Sequence, residues 1–272
     1  CRSADRGERA RRSIRSALDD PALDVLELDL ADLGSVASFA EAVTERYDEL
    51  HVLCNNAGVM AIPRRETADG FEFQFGVNHL GHFALTARLL GRLRDTDGET
   101  RVVTQSSGVH ENGAIDFADL HGEASYDKWG AYAGSKLANV LFAYELDRRL
   151  EGVGADVTSV ACHPGYADTN LQRRGPELSG SRLRLAAMKA ANALLAQPPE
   201  DGALPMLYAA TAPVDGGDYV GPGGLLNMRG PPERQRSSER SYDADLARRL
   251  WAVSAELTGV RFDLPPSEAP SP

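Results

Sequence analysis

A tyrosine and a lysine stand four residues apart in this sequence, as Tyr132 and Lys136. On a helix, that spacing puts the two side chains on one face, one turn apart. An ammonium beside a phenol favours the phenolate, so we expect Lys136 to lower the pKa of Tyr132 from its usual value of about 10. A tyrosine tuned in this way can act as a general acid or base. With Ser107 to hold a substrate oxygen, the set suits interconversion of an alcohol and a ketone, provided that another group carries the hydride.

The elements that would position these groups alternate between strands and helices. Short apolar runs predict strands at residues 25–30, 51–54, 101–107, 156–162 and 218–220. Helical spacing predicts helices at 6–18, 35–47 with a serine cap, the latter half of 69–93, 130–150, 183–195, 200–210 and 242–257. This βαβα order predicts an α/β fold, a doubly wound parallel sheet with helices on both faces.

The predicted organisation is a single domain over residues 1–264. Residues 166–198 follow a strand, where open α/β sheets place their ligands, so we expect them to cover the substrate. The tail at 265–272 is rich in Pro, Ser and Glu, which predicts disorder.

Composition excludes several classes of protein. Of the 272 residues, 42% are hydrophobic and 25% charged, which is ordinary for a globular protein with a core. The net charge of −11 argues against nucleic-acid and anionic-membrane partners. No apolar run approaches the roughly 20 residues of a membrane span. Cys54 and Cys162 lie in predicted strands, so we expect buried, inert thiols and a reducing cytoplasm, with neither a disulfide framework nor a metal site.

Several motifs occur in a fixed order at the ends of the predicted strands and on the predicted helices. They are Asp29, Asn55-Asn56-Ala57-Gly58, Asn78, Ser107, Tyr132, Lys136 and the run 164–169. Together they resemble the short-chain dehydrogenase/reductase family, which implies a Rossmann-like fold, and the resemblance covers the chain from the family's second strand to the C-terminus. The insert at 108–131 and the runs 78–83, 135–142 and 163–165 look like the branch of retinol dehydrogenases and WW-domain oxidoreductases.

The resemblance implies a catalytic set of four residues. Tyr132 would transfer the proton, Ser107 would orient the substrate oxygen, and Lys136 would tune the phenol and hold the nicotinamide ribose. Asn78 would sit at a helix distortion and hold a water that links Lys136 to solvent. Ser106 is the alternative to Ser107, because either serine ends the same predicted strand.

The resemblance also implies a nicotinamide cofactor. Asp29 would accept a hydrogen bond from the adenine amino group, and a guanidinium at Arg2 would suit a 2′-phosphate, which favours NADP over NAD. A solvated surface arginine is the alternative for Arg2. The remaining expected cofactor contacts are Asn55, Ala57, Gly58, Tyr132, Lys136, Pro164, Gly165 and Thr169.

One family feature is missing from the sequence. No G-x-x-x-G-x-G follows a first strand, and the family would place about 30–40 residues before Cys1, an estimate from the size of a βαβ unit. The chain is then either a fragment or has a misplaced start, and its non-methionine start favours a fragment. We expect this chain alone to expose a sheet edge, to bind cofactor poorly and to have little activity, which the upstream strand, glycine loop and helix would restore.

The function that the resemblance implies is NADP(H)-dependent interconversion of an alcohol and a ketone or aldehyde, on an apolar small molecule. A nucleotide-binding regulator or inactive fragment with the same fold is the alternative. An epimerase or dehydratase relative is a third hypothesis, but the C-terminal portion is short for a sugar-nucleotide domain. The helices predicted at 69–93 and 130–150 resemble those that form interfaces in family oligomers, so a homo-oligomer is possible.

Overall fold

The computed structural model describes residues 1–19, 21–165, 198–224 and 227–264. Its strands form a five-stranded sheet in the order β1-β2-β3-β4-β5. The first four are parallel, and β5 runs antiparallel to β4. The α/β prediction is therefore confirmed. The strands are β1 (Val52–Asn55), β2 (Thr100–Gln105), β3 (Val157–Cys162), β4 (Tyr219–Pro222) and β5 (Pro232–Gln235).

The helices fall close to the predicted positions. They are α1 (Ala4–Ala17), α2 (Leu33–Arg46), the short α3 (Phe73–Phe75), α4 (Gly81–Asp95), α5 (Lys128–Gly152), α6 (Pro199–Thr211) and α7 (Ala244–Thr258). A π-helical turn, Gly76–Leu80, joins α3 to α4, and 3₁₀ turns span Gly108–Asn112 and Glu239–Tyr242. The helix and covering segment predicted within 166–198, and the tail at 265–272, lie outside the described residues. Among the described helices, none is long and apolar enough to cross a membrane.

Helices lie on both faces of the sheet, as the neighbours of β1 show. The side chain of Asn55 is buried and bonds to Thr86 on α4, whereas Cys54 faces a cavity that it shares with Met206 of α6. Successive residues of a strand point to opposite faces. Helices α4 and α6 therefore cover opposite faces of the sheet.

The main core lies between the sheet and the helices α2, α4, α5 and α7. At its centre, Phe83 packs edge-on against Trp251 and Phe262, with ring centroids 5.2 and 4.9 Å apart. Every residue of α5 from 132 to 146 is buried, so this helix has no exposed face along the stretch that follows Tyr132. A helix packed on all sides is a rigid support for the side chains that it carries.

The strand predicted at residues 25–30 is wrong, because a strand needs a neighbour to complete its hydrogen bonds. Among the described residues, the backbone of Cys1 pairs with this segment. Its amino group donates to the Leu26 carbonyl at 2.8 Å, and the Leu28 N–H donates to the Cys1 carbonyl at 3.3 Å. This is the pattern of one parallel bridge. Among the described strands, none continues beside the segment, so it is extended without forming a ladder.

Two local predictions also differ from the structure. The cap of α2 is Asp32, whose carboxylate accepts from the N–H groups of Gly34 and Ser35 at 2.8 and 3.2 Å, and not Ser35. The Ser35 hydroxyl instead accepts from the Asp29 N–H at 2.9 Å. The strand β5 was not predicted, because its residues are largely polar and begin with proline, which is typical of a sheet edge.

Candidate active site

Tyr132 and Lys136 lie one turn apart on α5, and both are buried, with 4% and 3% of their surface exposed. The carboxylate of Asp127 caps the helix by accepting from the Gly130 N–H at 2.6 Å. The Lys136 Nζ lies 6.0 Å from the centre of the Tyr132 ring. The two side chains therefore share one face of the helix, as their spacing predicts.

The Lys136 ammonium is held at the carboxyl end of β2. Its Nζ donates to the carbonyl oxygen of Gln105 at 3.1 Å, and the Asn139 amide donates to the same oxygen at 2.8 Å. Burial lowers the pKa of Lys136 to about 8, since a low-dielectric site disfavours the charged form. Lys136 is thus able to gain and lose a proton near neutral pH.

The expectation that Lys136 lowers the pKa of Tyr132 is wrong for this structure. Burial raises the pKa of Tyr132 to about 12, while the Ser107 side chain, as a hydrogen-bond partner, pulls it back down. Desolvation of the phenolate is the largest cause of this shift, because a low-dielectric site disfavours the charged form. In this state the phenol is a proton donor at neutral pH.

The structure distinguishes the two serines that follow β2, Ser106 and Ser107. Ser106 is buried, and its hydroxyl donates to the Lys136 carbonyl oxygen at 2.8 Å, so this hydroxyl is engaged in holding α5. Ser107 follows with an extended backbone and is only partly buried. Because the Ser107 side chain influences the acidity of Tyr132, the geometry favours Ser107 over Ser106 as the partner of the tyrosine.

Asn78 lies in the π-helical turn, so it does sit at the expected helix distortion. Its amide group accepts from the Val59 N–H at 2.8 Å and donates to the Val59 carbonyl at 2.9 Å. It also donates to the Ser135 hydroxyl at 2.9 Å, which in turn donates to the Tyr132 carbonyl at 2.7 Å. The side chain of Asn78 therefore joins the loop after β1 to the helix that carries Tyr132.

The histidines that neighbour Asn78, His79 and His82, pack in the core. His79 contacts Phe75 and Phe83, and His82 bonds to the Asn78 carbonyl at 3.0 Å. Burial lowers the pKa of His79 to about 3 and that of His82 to about 4, so both rings are neutral at pH 7. Within the described ranges, no group of three or more potential metal ligands is found.

Two cavities meet at the loop after β1. One, of about 500 Å³, is lined by Tyr132, Lys136 and Pro164, and the other, of about 460 Å³, by Arg2 and Asp29. Both include Ala57 and Gly58 in their lining. The structure thus brings most of the expected cofactor contacts together along one trough past the carboxyl ends of the strands.

Other expected cofactor contacts fall elsewhere. The side chain of Asn55 is 1% exposed, donates to the Thr86 hydroxyl at 2.9 Å and lines neither cavity, so a contact of Asn55 with cofactor stays a prediction. Gly165 lines a third cavity, of about 270 Å³, together with Ser107. Thr169 lies outside the described residues.

Cys54 is exposed because it faces the Tyr132 cavity, which corrects its prediction as a buried thiol.

A nicotinamide dinucleotide fits the trough at both ends. At one end, Arg2 and Arg6 supply positive charge near the Asp29 carboxylate. At the other, the missing side chain of Gly58 lets the loop after β1 lie close to Asn78 and Lys136, since a Cβ there would lie 3.0 Å from the Asn78 Oδ1 and 3.6 Å from the Lys136 Nζ. The described residues include no glycine-rich loop at a helix start that would cradle the pyrophosphate between them.

Comparison with known proteins agrees with the fold. Residues 1–177 match the family described as short chain dehydrogenase. The chain is 44% identical to a polyprenol dehydrogenase of Mus musculus, over 94% of this chain and 74% of the relative. It is 41% identical to retinol dehydrogenase 13 of Homo sapiens, over 100% and 77% of the two chains. The chain therefore belongs to the short-chain dehydrogenase family, within its retinol dehydrogenase branch, and is an oxidoreductase acting on CH–OH groups.

A solved structure shows the same architecture. An uncharacterized protein from Mycobacterium Paratuberculosis superposes with a TM-score of 0.74 at 40% identity, covering 97% of this chain and 84% of that protein. At this level of identity the likeness supports the placement of individual elements as well as the overall fold.

Sequence reasoning missed three residues that hold the site together. Gln105 supplies the carbonyl that binds Lys136, Ser135 joins Asn78 to the Tyr132 carbonyl, and His110 bonds to Ser107. Gln105 acts through its backbone, which leaves no signal in the side chain. Ser135 lies between Tyr132 and Lys136 in the sequence, and a polar residue inside a buried helix is a signal that could have been used.

Proposed function

We propose that this protein is an NADP(H)-dependent oxidoreductase that interconverts an apolar alcohol and the corresponding aldehyde or ketone. The observation that carries the proposal is the convergence of three groups at the carboxyl end of β2. Tyr132 and Lys136 come from one buried helix face, and Ser107 acts on the acidity of the tyrosine. When bound, the nicotinamide would supply or accept the hydride.

The chain's own residues would handle the proton and the substrate oxygen. With its pKa raised to about 12, the Tyr132 phenol is protonated at neutral pH and can donate to a developing alkoxide. Ser107 would hold that oxygen by a hydrogen bond. Lys136, with a pKa of about 8, would return a proton to the tyrosine between turnovers. This protonated phenol serves carbonyl reduction, and in alcohol oxidation Tyr132 would accept the proton instead.

The proposal of an apolar substrate rests on two observations. Relatives at 44% and 41% identity are named polyprenol and retinol dehydrogenases, and both names denote long apolar alcohols. In this chain, the Trp129 ring is 51% exposed and stands edge-on to Tyr132 at 6.3 Å between centroids. An exposed aromatic ring beside the proton donor offers an apolar surface to an approaching chain.

The proposal of NADP rests on the cavity that contains Asp29. Arg2 and Arg6 both line it, and both are exposed to solvent. A guanidinium binds a phosphate through two parallel hydrogen bonds, so these side chains suit the 2′-phosphate that distinguishes NADP from NAD. The catalytic groups at the other end of the trough do not depend on this choice.

The direct test of activity is NADPH oxidation, followed by absorbance, with short and long aldehydes and ketones. Tyr132→Phe in the protein as its gene encodes it should abolish turnover and leave NADPH binding unchanged. Tyr47→Phe is the matched control, because its hydroxyl bonds to Asp24 at the surface. Turnover retained by Tyr132→Phe would refute the proposed role. Nucleotide binding without any turnover would instead favour the regulator hypothesis.

Separate variants test the proposed preference for NADP and the proposed apolar substrate. Arg2→Gln should weaken NADPH binding by about tenfold, the value of one charge-assisted hydrogen bond, and leave NADH binding unchanged. Arg9→Gln is the control, because Arg9 is exposed on α1 and does not line the cavity. Trp129→Ala should raise the KM for a ten-carbon aldehyde more than for a three-carbon one. Equal effects on both nucleotides, or on both aldehydes, would overturn the corresponding part of the proposal.

A further inference from the structure

His110 lies three residues after Ser107, in the 3₁₀ turn that follows β2, and only 1% of its surface is exposed. Both ring nitrogens are hydrogen-bonded to backbone, and Nδ1 also lies 3.3 Å from the Tyr219 hydroxyl. Nδ1 lies 2.8 Å from the Ser107 carbonyl oxygen, and Nε2 lies 3.0 Å from the Ser238 backbone nitrogen. A carbonyl only accepts and an N–H only donates. Nδ1 must therefore carry the proton and Nε2 must be bare, which fixes one neutral tautomer.

The partner that holds Nε2 belongs to a well-anchored segment near the C-terminus. The Ser237 hydroxyl bonds to the Tyr144 hydroxyl of α5 at 2.7 Å and to the Ser241 hydroxyl at 2.6 Å. Arg240 also donates to the Gly113 carbonyl, at the far end of the turn that contains His110. The segment 237–241 is thus fastened both to the helix of Tyr132 and to the loop of Ser107.

His110 contacts the backbone carbonyl of Ser107, and the backbone sets the direction of the Ser107 Cα–Cβ bond. The Ser107 carbonyl accepts from the His110 backbone N–H at 3.0 Å as well as from the ring. Two donors on one carbonyl fix the orientation of the peptide plane that follows Ser107. Because β2 fixes the chain before it, the backbone of Ser107 is held from both sides, which sets the direction of its Cα–Cβ bond and limits the positions that its hydroxyl can reach.

We propose that His110 is a positioning residue for the reaction, which aims the Ser107 hydroxyl by bridging the Ser107 carbonyl to the Ser238 backbone. The inference rests on the proposed role of Ser107 as the partner of the substrate oxygen and of Tyr132. His110 itself touches neither substrate nor cofactor in this proposal. It acts only through Ser107.

Two pairs of variants separate the bonds of the ring. His110→Asn can replace the Nδ1 donor with its amide nitrogen, whereas His110→Gln reaches the Nε2 position and leaves the Ser107 carbonyl without the ring donor. Ser238→Pro removes the N–H that Nε2 accepts and suits the local backbone, since the φ of Ser238 is −63°. Ser238→Ala keeps that N–H and is its matched control.

The kinetic expectation follows from misplacing Ser107. His110→Gln and Ser238→Pro should lower kcat by about tenfold, within the range that an error of about 1 Å produces, with NADPH affinity unchanged. His110→Asn should retain more of kcat than His110→Gln, and Ser238→Ala should match the wild type. In His110→Gln and Ser238→Pro, the limb of the pH–rate profile that reports Tyr132 should move to higher pH. The Ser107 side chain lowers the pKa of Tyr132, and a misplaced Ser107 loses this effect.

The decisive test is a double-mutant cycle with Ser107→Ala, measured in the protein as its gene encodes it. If His110 acts through Ser107, His110→Gln should cause no further loss in the residual turnover of Ser107→Ala. Multiplying losses would overturn the inference while leaving the roles of Tyr132 and Lys136 intact. Turnover retained by Tyr132→Phe would instead refute the proposed function itself. Independently of turnover, ¹⁵N shifts of the ring should show a protonated Nδ1 and a bare Nε2, and the opposite tautomer would also overturn it.

Discussion

Replacing Lys136 with methionine should stabilise the fold at neutral pH, because it removes a buried charge that folding disfavours. The pKa of Lys136 falls from about 10.4 in the unfolded chain to about 8 in the fold. The unfolded state then binds more protons than the folded state between these two values, so this group adds stability as the pH rises. Its unfavourable contribution is about 3 kcal/mol at pH 7 and about 1 kcal/mol at pH 9.5.

The assay is denaturant unfolding of wild type and Lys136→Met at both pH values. The variant should be more stable than the wild type at pH 7, and its advantage should shrink by about 2 kcal/mol at pH 9.5. Lys128→Met, on the first turn of the same helix, controls for the general effect of removing a lysine from α5. An advantage that stays constant with pH would refute the reasoning that burial depresses the pKa of Lys136, and with it the proposed proton return to Tyr132.

Two further substitutions test how the site is held. Gly165→Ala should destabilise the fold by at least about 2 kcal/mol, because φ is +66° and a Cβ would overlap the Met228 carbonyl and lie 2.6 Å from the Pro222 Cγ. Gly91→Ala, where a Cβ has open space on α4, should instead gain about 0.5–1 kcal/mol, and thermal unfolding that gave both variants the same sign would contradict this account. Asn78→Leu should cost about 2–5 kcal/mol by leaving the Val59 N–H, the Val59 carbonyl and Ser135 without this partner, and denaturant unfolding within 1 kcal/mol of wild type would speak against it.

The fold was largely predictable where the sequence carries a strong period or a clear boundary. The strands at 101–107 and 156–162 and the helix at 130–150 appear close to their predicted bounds, as β2, β3 and α5. The segment at 25–30 has the composition of a strand but lacks the partner that a strand requires, and a local pattern does not contain that information. Strand β5 has the opposite character, since pairing with β4 forms it in spite of its polar residues.

The positions of the candidate site residues on their elements were predictable, but the electrostatics of these residues were less so. The spacing of Tyr132 and Lys136 correctly put both on one helix face, and Asn78 does lie at a helix distortion. The direction of the Tyr132 pKa was wrong, because it depends on the burial of the phenol, which only the packed helix reveals. His110 escaped notice for a similar reason, since its partner at Ser238 is distant in sequence.

The most direct measurement of the proposed chemistry is transfer of deuterium from C4-deuterated NADPH to an apolar aldehyde in a single turnover. The wild-type protein, as its gene encodes it, should deliver the label to the carbinol carbon of the alcohol. Tyr132→Phe should bind the labelled cofactor equally well and form no labelled alcohol. Label transfer by Tyr132→Phe at the wild-type rate would show that this phenol is not the proton donor.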